Sequence, residues 1–155
     1  MIEFSNEKGF FKLTAHQKVK KNIYEVFSFF ETPKNLNLLT PPWLNFKIKN
    51  PVPNSTYNGL EISYKLYLHK IPMNWKSRII TYKKNKYFCD KQILGPYLFW
   101  EHNHKFIKDG ENTIIHDFVD YKVPLGRLIN ILFVKNKLKK IFEYRYKKIE
   151  ELFKR

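Results

Sequence analysis

Residues 87–123 read YFCDKQILGPYLFWEHNHKFIKDGENTIIHDFVDYKV, and this stretch decides the fold class. Gly95-Pro96 and Asp109-Gly110 are turn dipeptides. They cut the stretch into three segments of strand length, Tyr87–Leu94, Tyr97–Ile107 and Thr113–Val123. Apolar and polar residues alternate within each, as in strands with one buried face. In the middle segment Trp100, His102, His104 and Phe106 share a face, against Glu101, Asn103 and Lys105. In the last, Thr113, Ile115, Asp117, Val119 and Tyr121 line up; in the first, Phe88, Asp90 and Gln92 do, with Cys89 opposite. Consecutive strands joined by short turns form an antiparallel meander.

The same reading extends upstream. Turn signals at Pro51–Gly59, Lys70–Pro72 and Lys83–Lys86 delimit strands over Leu44–Asn50, Leu60–His69 and Met73–Tyr82. On the last of these Met73, Trp75, Ser77 and Ile79 align. Phe10–Val19 reads as the first strand, with Phe11, Leu13 and Ala15 alternating against polar neighbours. Two short helices follow it. Ile23, Val26, Phe27 and Phe30 recur at helical spacing, and Thr32-Pro33 opens the second helix, with Thr32 as its N-cap, before Pro41-Pro42 stops it.

Downstream, the spacing predicts one long helix over Arg127–Phe153. Its apolar stripe is Leu128, Ile131, Leu132, Leu138, Ile141, Phe142, Ile149, Leu152 and Phe153. The expected fold is α+β, with a curved seven-stranded antiparallel sheet and the C-terminal helix over its concave face. One helix does not fill the space above seven strands, so a cavity between them is expected.

Length and composition bound the rest. A chain of 155 residues suits one domain, here 1–155 with a core of about 10–153. The single Cys89 excludes an internal disulfide and a multi-thiolate zinc site. No apolar run reaches the roughly 20 residues of a membrane-spanning helix. The N-terminus lacks a basic segment followed by an apolar one, so a cytoplasmic location is expected.

Lys and Arg number 29 against 14 Asp and Glu, a net charge of +15. Yet 25 of the 29 are lysines, and Ala15 is the only alanine, the pattern of an AT-rich coding sequence. Readers of nucleic acid rely on arginine for bidentate contacts, so no specific nucleic-acid partner is expected. The terminal helix and the residues just after it carry Lys135, Lys137, Lys139, Lys140, Arg145, Lys147, Lys148, Lys154 and Arg155 against Glu143, Glu150 and Glu151. A merely solvated lysine face, peripheral contact with an anionic membrane and an RNA-binding basic module resting on the lysines alone are the readings of that charge.

Several motifs carry a resemblance. They are Leu39-Thr40-Pro41-Pro42-Trp43, the lone Trp75, Gly95-Pro96-Tyr97, and Trp100-Glu101-His102-Asn103-His104-Lys105-Phe106. Asp117, Tyr121, Pro124-Leu125-Gly126 and Phe142-Glu143-Tyr144-Arg145 complete the set. In this order the chain resembles the START-like, or SRPBCC, superfamily, and within it the small bacterial ligand-binding proteins related to polyketide cyclases and coenzyme Q-binding proteins. The resemblance implies a helix-grip fold and a cavity for a small hydrophobic or amphipathic ligand, such as a lipid, quinone or polyketide-like molecule. It implies no cofactor and no metal.

The inward faces supply candidate ligand contacts: Trp75, Asp90, Gln92, Trp100, His102, His104, Asp117, Tyr121 and Arg145. Polar members would orient a head group while aromatics hold an apolar body; alternatively the same residues form a satisfied buried network. An enzyme of the cyclase, aromatase or dehydratase type would use His102, His104 and Asp117 as acid–base groups. His102 and His104 with Asp117 or Asp90 also have the composition of a two-histidine, one-carboxylate metal set. Thr40-Pro41-Pro42-Trp43 is either a gate at the cavity mouth or a structural corner.

Overall fold

The computed structural model describes residues 1–154; Arg155 lies outside the described residues. Eight strands form one antiparallel sheet in the order β1-β2-β8-β7-β6-β5-β4-β3. They are β1 (Ile2–Glu7), β2 (Phe10–Val19), β3 (Lys47–Ile48), β4 (Glu61–Leu68), β5 (Ile71–Lys83), β6 (Tyr87–Leu94), β7 (Phe99–Asp109) and β8 (Asn112–Lys122). The helices are α1 (Ile23–Glu31), α2 (Leu36–Leu39), α3 (Arg127–Ile129) and α4 (Lys135–Leu152). The fold is therefore α+β, with a curved open sheet and a long C-terminal helix as expected, but with eight strands rather than seven.

The additional strand is β1, which pairs with β2 from Ile2↔Ala15 to Glu7↔Phe10. The turn between them is Lys8-Gly9, with φ of 50° and 79°. Two successive positive φ values match the right-handed twist of a tight hairpin. At the other edge the expected strand Leu44–Asn50 shrinks to Lys47–Ile48. A 3₁₀ turn occupies Pro42–Leu44 and ends at Asn45 in the left-handed region, so the chain becomes extended only after it.

Asn22 caps α1, its side chain accepting from the Glu25 N–H at 3.0 Å. The expected Thr32 cap is not formed. Its hydroxyl instead donates back to the Ser28 carbonyl at 2.9 Å, and a 3₁₀ turn over Pro33–Asn35 leads into α2. Val26, Phe27 and Phe30 of α1 are buried, with Phe27 edge-on to Phe106 at 5.1 Å.

The C-terminal helix departs most from its expected form. A π-helical turn, Asn130–Val134, separates α3 from α4. Leu138, Phe142, Arg145 and Ile149 of α4 face the sheet. Straight α periodicity would carry that stripe back to Ile131, but the extra residue of the π turn shifts the phase. Asn130 takes the buried place and accepts a hydrogen bond from the Tyr121 hydroxyl at 2.8 Å. Leu128, Ile131 and Leu132, expected inside, are exposed. No helix of the described residues is long and apolar enough to cross a membrane.

Candidate functional site

The concave face of the sheet and α4 enclose a cavity of about 210 Å³. Two buried clusters, one around Phe27 and Phe106 and one around Trp75, Trp100 and Phe142, both contribute to its wall. Trp75 stacks on Tyr64 at 5.8 Å and meets Trp100 edge-on at 5.4 Å. Its indole N–H donates to Ser77 Oγ at 3.0 Å, so the ring is held at both ends. Six of the nine residues expected at the site reach the cavity wall: Trp75, Asp90, Trp100, His102, His104 and Arg145.

The other three do not line it. Gln92 clasps the β6–β7 turn, donating to the Tyr97 carbonyl at 2.8 Å and accepting from the Tyr97 N–H at 3.2 Å. A Cβ on Gly95 would collide with this side chain, which is why the turn has glycine there. Tyr121 is fully buried and is held by Asn130. Asp117 sits behind the histidines rather than in the wall.

Register builds the polar cluster. Asp90 lies opposite His102 across β6–β7, and His104 lies opposite Asp117 across β7–β8. Directly opposed side chains on one face are close enough to interact. Asp117 Oδ1 is 2.9 Å from His102 Nε2, 3.1 Å from His104 Nδ1 and 3.2 Å from an Arg145 amino nitrogen. Asp90 Oδ2 is 2.9 Å from His104 Nε2 and 3.9 Å from His102 Nδ1. The imidazoles lie 3.7 Å apart between centroids with their planes tilted by 34°, and Phe88 stacks on His104 at 4.4 Å.

This arrangement sets the charges. Burial disfavours a charged His104, but the two carboxylates that grip its two nitrogens outweigh burial and raise its pKa above the ordinary histidine value. His102 moves the other way: burial and the charge on His104 lower its pKa despite Asp117. Burial also opposes ionised Asp117, yet Arg145 and the two histidines hold it well below the usual carboxylate range. Asp90 likewise stays low through His104 against the effect of burial. Two carboxylates, one guanidinium and one imidazolium make the cluster neutral overall, which is how it tolerates burial. Arg145 Nε is the one buried side-chain polar atom without a partner among the described residues.

Opposite shifts on two neighbouring histidines have a measurable consequence. The raised His104 pKa contributes stability that is complete below about pH 6.5 and is lost as pH rises through the folded value. The lowered His102 pKa costs stability as pH falls from about 6.5 toward its folded value, because the unfolded chain takes up that proton first. The thermal midpoint should therefore peak near pH 6.5, about the ordinary histidine value. His104→Gln should flatten the alkaline limb and His102→Gln the acid limb. A profile unchanged in both variants would remove the assignment.

Asp90, His102 and His104 also offer three metal-ligating atoms within 4.8 Å of one another. The composition fits a divalent ion, but the charge does not. An ion would displace the His104 proton beside Arg145 and leave the buried cluster positive. Cys89 lies on the opposite face, buried, with its thiol pKa raised by that burial, so it is neither a ligand nor a nucleophile here.

Sequence reasoning passed over Tyr64, Ser77, Phe88 and Tyr97, which also line the cavity. Ser77 and Phe88 were visible as same-face neighbours of Trp75 and Asp90. Trp43, in the segment read as either a gate or a corner, is half exposed and packs edge-on against Tyr144 at 5.7 Å. The adjoining Leu39, Thr40, Leu44 and Phe46 form part of the wall.

No protein-family model matches the sequence, and no curated protein matches it. Solved structures do. A START superfamily protein from Mycobacterium smegmatis superposes with a TM-score of 0.67 at 12% identity, over 92% of this chain and 97% of that one. Major latex-like protein 151 from Panax ginseng gives 0.68 at 14% identity, over 94% and 98%. A point mutant of norcoclaurine synthase from Thalictrum, in complex with a transition-state analogue, gives 0.68 at 13% identity, over 97% and 98%. Likeness at such low identity speaks for architecture and leaves activity to the site. The chain thus has the helix-grip fold of the START-like, or SRPBCC, proteins.

Proposed function

We propose that the protein binds a small hydrophobic or amphipathic molecule, of lipid, quinone or polyketide-like character, in the cavity beneath α4. The observation that carries this reading is an aromatic cavity with one polar wall. A volume of about 210 Å³ lies below the roughly 300–1,000 Å³ of drug-sized sites, which favours a single ring system or short chain. Apolar burial at about 25 cal/mol per Å² supplies the affinity, and the polar wall supplies orientation. His102 Nδ1 and the second oxygen of Asp90 accept no hydrogen bond among the described residues, although both residues line the cavity. Both are acceptors, so a hydroxyl, phenol or amine suits this wall best. The lone buried thiol of Cys89 fits a reducing cytoplasm.

Native mass spectrometry of protein purified without detergent tests the proposal, followed by titration with small phenols and hydroxylated short chains. One molecule should bind per chain, with quenching of tryptophan emission. Leu138→Trp, which projects a larger side chain into the cavity, should weaken binding on the order of tenfold with an unchanged circular dichroism spectrum. Equal affinity in that variant would place the ligand elsewhere.

The His102–Asp117 contact favours a second reading, acid–base catalysis of the cyclase or dehydratase kind. Asp117 holds one imidazole nitrogen of a neutral histidine and leaves the other available as a base, an arrangement that serves proton abstraction. The readings separate in His102→Gln. Binding retained with turnover lost supports catalysis, whereas the absence of turnover in the parent protein supports a carrier.

A further inference from the structure

We infer that the end of the molecule formed by the β4–β5 turn, the β6–β7 turn and the first turns of the C-terminal helix docks on an anionic lipid bilayer. In an antiparallel sheet β4, β6 and β8 run the same way, so the segments that leave them emerge at one end. The Leu98 N–H donates to the Lys122 carbonyl at 2.9 Å, joining the β6–β7 turn to the end of β8. His69 meets Phe133 edge-on at 6.2 Å, joining the β4–β5 turn to the π-helical turn.

That end is apolar. Leu94, Leu98, Leu125, Leu128, Leu132 and Phe133 are each more than half exposed, Leu125 at 83%. Exposed apolar residues scattered singly are ordinary, whereas a cluster confined to one end marks a surface that meets an apolar partner. Its tip is also strained. Leu125 has a φ of 57°, a conformation disfavoured for leucine, and its side chain is left almost wholly in solvent.

Charge selects the partner. Residues 121–142 contain six Lys and Arg and no Asp or Glu, and residues 62–89 and 91–100 contain no acid either. The leucines are thus flanked in sequence by Lys70, Lys122, Arg127 and Lys135, and the acids nearest to this end, Glu7 of the β1–β2 hairpin and Asp120, are both held by Lys12. A second copy presenting the same face would bring like charges together in a chain of net charge +15. An anionic bilayer meets both requirements, taking the leucines at the acyl boundary and the lysines at the head groups. Leu138 and Ile141, farther along the same helix, line the cavity, so this end adjoins the ligand's compartment. Docking needs no occupant in that cavity and stands apart from the proposed ligand binding.

Co-sedimentation with vesicles of phosphatidylcholine, with and without phosphatidylglycerol, tests the inference on the full chain. Binding should require phosphatidylglycerol and fall steeply as salt is raised. Leu128→Gln with Leu132→Gln, both at exposed positions, should weaken it about tenfold or more. Arg127→Glu with Lys135→Glu should do the same. Lys84→Glu with Lys86→Glu, an equal charge change in the turn at the other end of the sheet, should leave affinity within about twofold if attraction is local. Absence of binding would overturn the inference. So would unchanged binding in the leucine variant, or equal loss in the Lys84/Lys86 variant, which would mark attraction to the whole chain's charge. Sedimentation velocity completes the test: a dimer that dissociates in the leucine variant would make a second copy the occupant and overturn it too.

Discussion

Asp117→Ala should destabilise the protein by about 3–5 kcal/mol, the range for removing one partner of a buried ion pair. One oxygen of Asp117 is shared by His102, His104 and Arg145, and its loss strands a buried guanidinium whose Nε already lacks a partner. Urea unfolding should show the midpoint falling at constant slope. The double variant Asp117→Leu with Arg145→Met makes the test informative. Replacing a buried pair by apolar residues of similar volume is often neutral or stabilising. If the double variant regains stability and loses ligand binding, the network is kept for the site. If both stability and binding return, the network is an architectural element only. A loss below about 1 kcal/mol for Asp117→Ala would mean that Arg145 finds solvent and is not confined as described.

Trp75→Ala should have an effect of the same size, about 3–5 kcal/mol, as large-to-small changes at buried tryptophans do. Trp75 touches Tyr64, Tyr97 and Trp100 and anchors its N–H on Ser77. Removing it deletes a wall of the cavity as well as a core residue. The two consequences separate experimentally: stability should fall, while the protein that remains folded should accept a larger ligand than the parent does. Trp75→Phe keeps the stacking on Tyr64 and should lose less. If Trp75→Ala cost nothing, the surrounding rings would have collapsed into the space, and the cavity would shrink rather than grow.

The sequence makes legible whatever depends on period two. β2 and β6 have the ends that alternation predicts, and the faces carrying Trp100, His102, His104, Phe106 and Asp117 are buried as the pattern requires. Gly95-Pro96 and Asp109-Gly110 mark the turns because glycine and proline act on the backbone directly. Register is another matter. That Asp90 faces His102 while its oxygen bonds His104, or that one Asp117 oxygen serves both rings, depends on how strands align, and no single strand encodes it. Gln92 shows the same limit. It shares the face of Phe88 and Asp90, yet the neighbouring turn claims its amide. β1 is short and mostly polar, so its alternation is indistinct, and only pairing with β2 reveals it.

The π-helical turn at Asn130–Val134 makes the C-terminal helix behave as a phase coupler. Each residue of an α-helix advances about 100° around the axis, so one residue gained or lost in this turn rotates everything before it while α4 stays in place. Deleting a single residue there would swing Leu128 and its neighbours toward the sheet, trade Asn130 for an apolar side chain against Tyr121, and cover the helical part of the greasy end while Leu94 and Leu98 stay outside. Length change by one residue, rather than substitution, is thus the shortest route by which a chain of this design could switch between a sticky and a smooth surface without disturbing its cavity.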